Sequence, residues 1–101
     1  MGLKRKHGRG QGAEFIDTSC DDNLVLRVLI HDIVGTGRGK IVDFNVIRGG
    51  ETNSLRIPAD ERIVYIHDGI GVSLQRAPSH NDAAKITYEA PRKYRIDFLE
   101  D

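Results

Sequence analysis

Short runs of alternating apolar and polar residues, each ended within a few positions by a turn-forming group, constrain this chain more than any other feature. In "IVDFNVI" (41–47), Val42, Phe44 and Val46 fall on one side, with Asp43 and Asn45 on the other. A period of two belongs to a strand with one wetted face, whereas a helix repeats every 3.6 residues. "KITYE" (85–89) pairs Ile86 with Tyr88, and "YRIDF" (94–98) aligns Tyr94, Ile96 and Phe98. "LRI" (55–57), "IVYI" (63–66) and "IGVSL" (70–74) are shorter runs of the same kind. "RGGE" (48–51) carries paired glycines that permit a tight reversal, and His67-Asp68-Gly69 is a D-G turn signal. "GTGRGK" (35–40) reads as a turn, "PADE" (58–61) as an interruption and "QRAPSHNDAA" (75–84) as a polar loop.

Two segments are less regular. "AEFIDTSCDDN" (13–23) reads as a polar connector anchored by Phe15 and Ile16. "LVLRVLIHDIVG" (24–35) is apolar at both parities. It fits a short helix opened by Asp21, Asp22 or Asn23, with Val25, Leu29 and Ile33 in one stripe. Its β-branched content favours the other reading, a strand buried on both faces. The sum is an all-β chain: a small antiparallel sheet or barrel-like domain of six or seven short strands, with no long helix.

A chain of 101 residues makes one domain near the small end of what buries a core alone. With no Trp, three Phe and three Tyr, the core must come largely from Ile, Val and Leu. A core that thin is commonly supported by association. An intertwined or edge-paired homo-oligomer is therefore expected.

The zero net charge conceals an asymmetry. Lys4, Arg5, Lys6 and Arg9 lie within residues 1–12, where there is no acid, so the remaining chain has an acidic excess of about four. Residues 1–12 are read as a basic, Gly-rich arm on a single β domain of residues 13–101. Such an arm is either a solvated terminus or a contact for something anionic, single-stranded RNA or an acidic protein surface.

Chemistry finds little foothold. Cys20 is the sole cysteine, so no internal disulfide is possible, and a reducing, cytoplasmic setting is the default. No apolar run approaches the roughly 18 residues of a membrane span. His7, His31, His67 and His80 are scattered without ligand spacing, so neither a metal nor another cofactor is expected. Gly35–Lys40 lacks the spacing of a phosphate loop and is followed by a strand where a helix N-terminus would be needed. No nucleophile–base pair stands out, so no catalytic residue is assigned and no enzymatic activity is expected. Tyr88 and Tyr94 with Arg92, Lys93 and Arg95 come closest to a base-stacking platform. The competing reading makes those tyrosines caps of the core and the cations solvated.

"VYIHDGIGVSLQR" followed by "KITYEAPRKYRIDF" resembles the carbon storage regulator family, small dimeric proteins that bind mRNA leaders. Gly50-Glu51, Val64 to Ile66, Ile70-Val72-Leu74, Ile86 to Pro91 and Tyr94 to Phe98 follow the family's order, with Ala90-Pro91 between the last two strands. The likeness spans about residues 41–98, needs extra residues near 52–63 and 77–83, and leaves 1–40 without counterpart. It implies a strand-exchanged homodimer with RNA surfaces on its edge strands. The family's arginine after the last strand's apolar pair is here Phe98, and only Arg48 stands where the first strand's basic residue would. An arginine fork satisfies base edges and phosphates in a way that Phe cannot.

Two functions follow. The first is a non-enzymatic, RNA-binding post-transcriptional regulator, its cationic surface made of Lys4, Arg5, Lys6, Arg9, Arg48, Arg92, Lys93 and Arg95. The second is a structural or assembly protein, such as a phage virion decoration or connector subunit, using the same scaffold and its free strand edges.

Overall fold

The computed structural model describes residues 2–19, 21–35, 39–76 and 83–100. Cys20, the middle of the 35–40 turn and the centre of the 75–84 loop, including His80, lie outside the described residues. The chain is all-β and antiparallel, with nine strands among the described residues where six or seven were expected. These are β1 (Gly2–Gly8), β2 (Gly12–Asp17), β3 (Asn23–Val34), β4 (Ile41–Arg48), β5 (Glu51–Pro58), β6 (Val64–His67), β7 (Ile70–Leu74), β8 (Ala83–Glu89) and β9 (Tyr94–Leu99). No helix among the described residues is long and apolar enough to cross a membrane.

Two sheets share one core. The first has the order β1-β8-β7-β6, and the second β5-β4-β3-β2-β9. Val42, Phe44 and Val46 face inward, as their alternation predicts, and so do Ile86 and Tyr88. Phe15 from the second sheet meets Tyr88 from the first, with ring centroids 6.4 Å apart. Gly49 and Gly50 take φ of 58° and 82° between β4 and β5, and Asp68 and Gly69 take 45° and 79° between β6 and β7. Positive φ at both central residues is what lets a two-residue turn follow the twist of its strands.

Three expectations change. The basic arm is not separate from the body: residues 2–8 form an edge strand paired along β8 from Gly2↔Glu89 to Gly8↔Ala83. The connector at 13–23 contains β2, with Ala13 and Phe15 fully buried. Segment 24–35 is a strand, but it is not buried on both faces. Leu26, Val28 and Ile30 point into the core, a bulge at His31 resets the parity, and Ile33 continues the inward set.

Nor do β7 and β8 need a second copy to shield their apolar sides. Ile70, Val72, Leu74, Ile86 and Tyr88 are fully buried within one chain. β1 and β2 complete the two sheets that the shorter strand count left open. Ala90-Pro91 opens the passage from β8 in one sheet to β9 in the other, and the Tyr94 N–H closes the turn on the Pro91 carbonyl at 3.0 Å.

That corner is held by charge. The Asp68 carboxylate accepts from Tyr94 Oη at 2.7 Å and meets Lys93 Nζ at 2.7 Å. These hydrogen bonds, Lys93's first, hold the Asp68 carboxyl below the usual aspartate range, and the Asp68 bond pushes the Tyr94 phenol up. A carboxyl depressed on folding adds stability that is complete above its unfolded value near 3.8 and is lost as pH falls through the folded one. The stability gap between the native chain and Asp68→Asn is therefore expected at pH 6 and should shrink by pH 2.5, as read by urea denaturation. A gap unchanged over that range would contradict the assignment.

Candidate nucleic-acid interface

Strand pairing decides which cations gather. His7 faces the core, so its neighbours Lys4 and Lys6 project from the opposite side of β1. On β8, Ile86 and Tyr88 point inward, which leaves Lys85 and Thr87 on the same outer face. The register sets Lys6 opposite Lys85 and Lys4 opposite Thr87. A shallow cavity of about 170 Å³ is lined by Lys4, Arg5, Lys6 and Lys85. Among the described residues none of these three lysines has an acid within ion-pairing distance. The only acid in the four strands of this sheet is Glu89, opposite Gly2 at the far end of β8.

Like charges directly across a strand pair oppose pairing. The field of Lys6 reaches further. Together with the larger effect of burial, it pushes the Lys40 ammonium below the ordinary lysine value. Lys40 is itself almost fully buried and donates to the Ala83 carbonyl at 2.8 Å. Lysines kept together without an ion pair among the described residues leave an electrostatic excess that an anion would offset.

Most of the remaining expected cations are engaged with the protein. Arg9 binds Asp32 Oδ1 and the Ile33 carbonyl, both at 2.8 Å, tying the β1–β2 connection to β3. Lys93 is held by Asp68 as described, and Arg95 makes a two-pronged contact with Asp97 and approaches Asp22 at 3.6 Å. Arg92 is exposed in the turn before β9 and has no polar partner among the described residues. Arg48 ends β4 in the other sheet, outside the lysine-lined cavity, and donates to His67 Nδ1 at 3.1 Å. The structure thus joins Lys4 and Lys6 but disperses the rest.

Arg5 has a different role. Its guanidinium carbon lies 4.4 Å from the centroid of the Phe98 ring, and its Nε is 3.7 Å from Glu100. The Phe98 ring thus lies beneath an arginine supplied by β1. Cation–π contact of this kind contributes about 0.5–1 kcal/mol at an exposed site.

Tyr88 and Tyr94 form no base-stacking platform: both rings belong to the core, in keeping with the competing reading of them as core caps. Burial, with the Glu100 charge as a lesser cause, pushes the Tyr88 phenol well up. The exposed aromatic is Tyr65 of β6, 63% accessible. It sits opposite Gly71 on the outer face of the lysine-bearing sheet, and a Cβ on Gly71 would approach its Cδ1 to 3.1 Å. Lys85 and Tyr65 were missed because "KITYE" and "IVYI" read as core strands. Their outward parity was the available signal. Comparison with protein-family models, curated proteins and solved structures finds no match.

Proposed function

We propose that the protein is a non-enzymatic, single-stranded RNA-binding β domain acting as a post-transcriptional regulator in the cytoplasm. The observation that carries the reading is the Lys4–Lys6–Lys85 cluster on one sheet face, with Lys6 opposite Lys85 and no acid within ion-pairing distance of the three among the described residues. Phosphates crossing that face would relieve the repulsion, and Tyr65 on the same face offers a ring for an unstacked base. The resemblance over residues 41–98 points to the same ligand. The cationic surface is smaller than the eight residues expected, because Arg9, Lys93 and Arg95 bind the protein's own acids and Arg5 rests on Phe98.

Three neutralised phosphates on a single strand give log K a slope of roughly −2 against log[salt]. Filter binding of an unstructured RNA should show that slope. Lys4→Gln/Lys6→Gln/Lys85→Gln should weaken binding at least tenfold at 50 mM salt and flatten the slope. Retention that is absent at low salt, or indifferent to the triple variant, would remove the proposal.

A second reading, an assembly subunit such as a virion protein, is favoured by one observation. β5 spans eight residues and pairs only with β4, leaving its other edge free among the described residues. Free edges recruit strands from neighbours. Light scattering that shows a homo-oligomer dispersed by a charged substitution at Ser54, with no RNA retained, would favour this reading.

A further inference from the structure

We infer that the cleft between the β4–β5 hairpin and β6 is a nucleobase pocket, separate from the lysine face, that receives one unpaired purine. The cleft holds about 280 Å³ and is lined by Val46, Arg48, Asn53, Ser54, Leu55, Tyr65 and Ile66. That is just under the range of about 300–1,000 Å³ typical of small-ligand sites, which suits one base rather than a run of nucleotides.

Its lining divides by chemistry. Val46, Leu55 and Ile66 supply apolar surface. Arg48, Asn53 and Ser54 supply polar groups, and no carboxylate is among the seven residues. The side chains of Asn53 and Ser54 have no hydrogen-bond partner among the described residues. Arg48 spends one donor on His67 Nδ1 and makes no ion pair with Glu51, its neighbour across the turn. A guanidinium has five N–H donors, so most of the fork is available. Arginine matches the O6/N7 edge of guanine, and a carboxamide matches the N6/N7 edge of adenine. Both edges belong to purines.

Tyr65 joins this pocket to the lysine face. Gly71 leaves space that any larger residue would take: a Cβ there would lie 2.8 Å from Ile63 Cγ2 and 3.1 Å from the Tyr65 ring. The exposed ring is thereby seated against the sheet edge beside the cleft. From β1 to β6 is three strand spacings, about 14 Å. An extended strand of a few nucleotides would reach from the lysines to the pocket.

The occupant rests on the RNA reading, but uncharged probes separate the two. Guanosine, adenosine and uridine carry no phosphate for the lysines to hold. Titrated into the full chain and followed by amide chemical shifts, guanosine or adenosine should give saturable changes at Arg48, Asn53, Ser54 and Tyr65. Tyr65→Ala and Arg48→Gln should each weaken that binding about tenfold, given that base–aromatic stacking is worth about 1–3 kcal/mol. Tyr65→Phe should preserve it. The triple lysine variant should leave it unchanged while losing RNA. No saturable shift at millimolar purine nucleoside, indifference to Tyr65→Ala, or equal response to uridine would overturn the inference, whatever the RNA result.

Discussion

Gly12→Ala is expected to remove a large share of the folding stability, lowering it by about 4 kcal/mol or more, a size reserved for named structural faults. Gly12 begins β2 at the point where the chain enters the second sheet, pairing with Leu29 of β3 and Leu99 of β9. A Cβ placed there would stand 1.8 Å from the Val28 carbonyl oxygen and 2.9 Å from its carbon. Both atoms are backbone, so no side-chain rotation relieves the clash. β2 must retreat from β3, and Ala13 and Phe15, both fully buried, must move with it. A domain of this size holds roughly 5–15 kcal/mol in all, so a loss of this size is a large share of the total. Gly39→Ala is the control, because a Cβ there meets nothing within 4 Å. It should change stability by less than about 0.5 kcal/mol, the usual span at an unconstrained surface site. Urea denaturation of both variants checks the pair. A Gly12→Ala chain within 1 kcal/mol of the native protein would mean β2 and β3 do not approach this closely.

The same region shows where sequence reasoning stopped. The runs at 41–47, 85–89 and 94–98 were legible because their inward positions are large and apolar and their outward ones polar. The turns at Gly49-Gly50 and Asp68-Gly69 were legible because their backbone conformation needs those residue types. β1 was not, because the residues on its core side are Leu3, Arg5 and His7, and only the imidazole is fully buried. β2 was obscured by small residues at its start and by a register shift between Phe15 and Ile16. In β3 the apolar Val25 and Leu29 at the less buried parity, with the bulge at His31 moving Ile33 inward, made a one-faced strand look two-faced. The candidate site suffered in proportion. Lys4 and Lys6 stood out as charges, but their junction with Lys85 depends on pairing the first strand with the eighth. No local pattern encodes that pairing.

His7→Ala is expected to destabilise the domain by about 3 kcal/mol, combining an unsatisfied buried hydroxyl with a cavity. The imidazole is fully buried and bridges the sheets. Nδ1 lies 2.7 Å from Tyr88 Oη within the first sheet, and Nε2 lies 2.9 Å from Glu100 Oε1 just past β9 of the second. A carboxylate only accepts, so Nε2 carries a hydrogen, and in the neutral ring Nδ1 accepts from the Tyr88 hydroxyl. The ring also packs edge-on against Phe98, with centroids 5.7 Å apart. Removing it strands the Tyr88 hydroxyl inside the core, where no water competes to bind it. The Glu100 end matters less, because that carboxylate is about half exposed and a glutamine there can still accept from Nε2. Glu100→Gln keeps an acceptor for Nε2 and should therefore cost no more than a typical net hydrogen bond, about 1 kcal/mol. His7→Leu combined with Tyr88→Phe removes both polar partners, so the double variant should lose less than the sum of its singles by about 1 kcal/mol or more. Additive losses would mean the two side chains are not coupled. An intact urea midpoint for His7→Ala would mean that the sheets are not joined through this ring, and that β1 can leave β8 without disturbing the core.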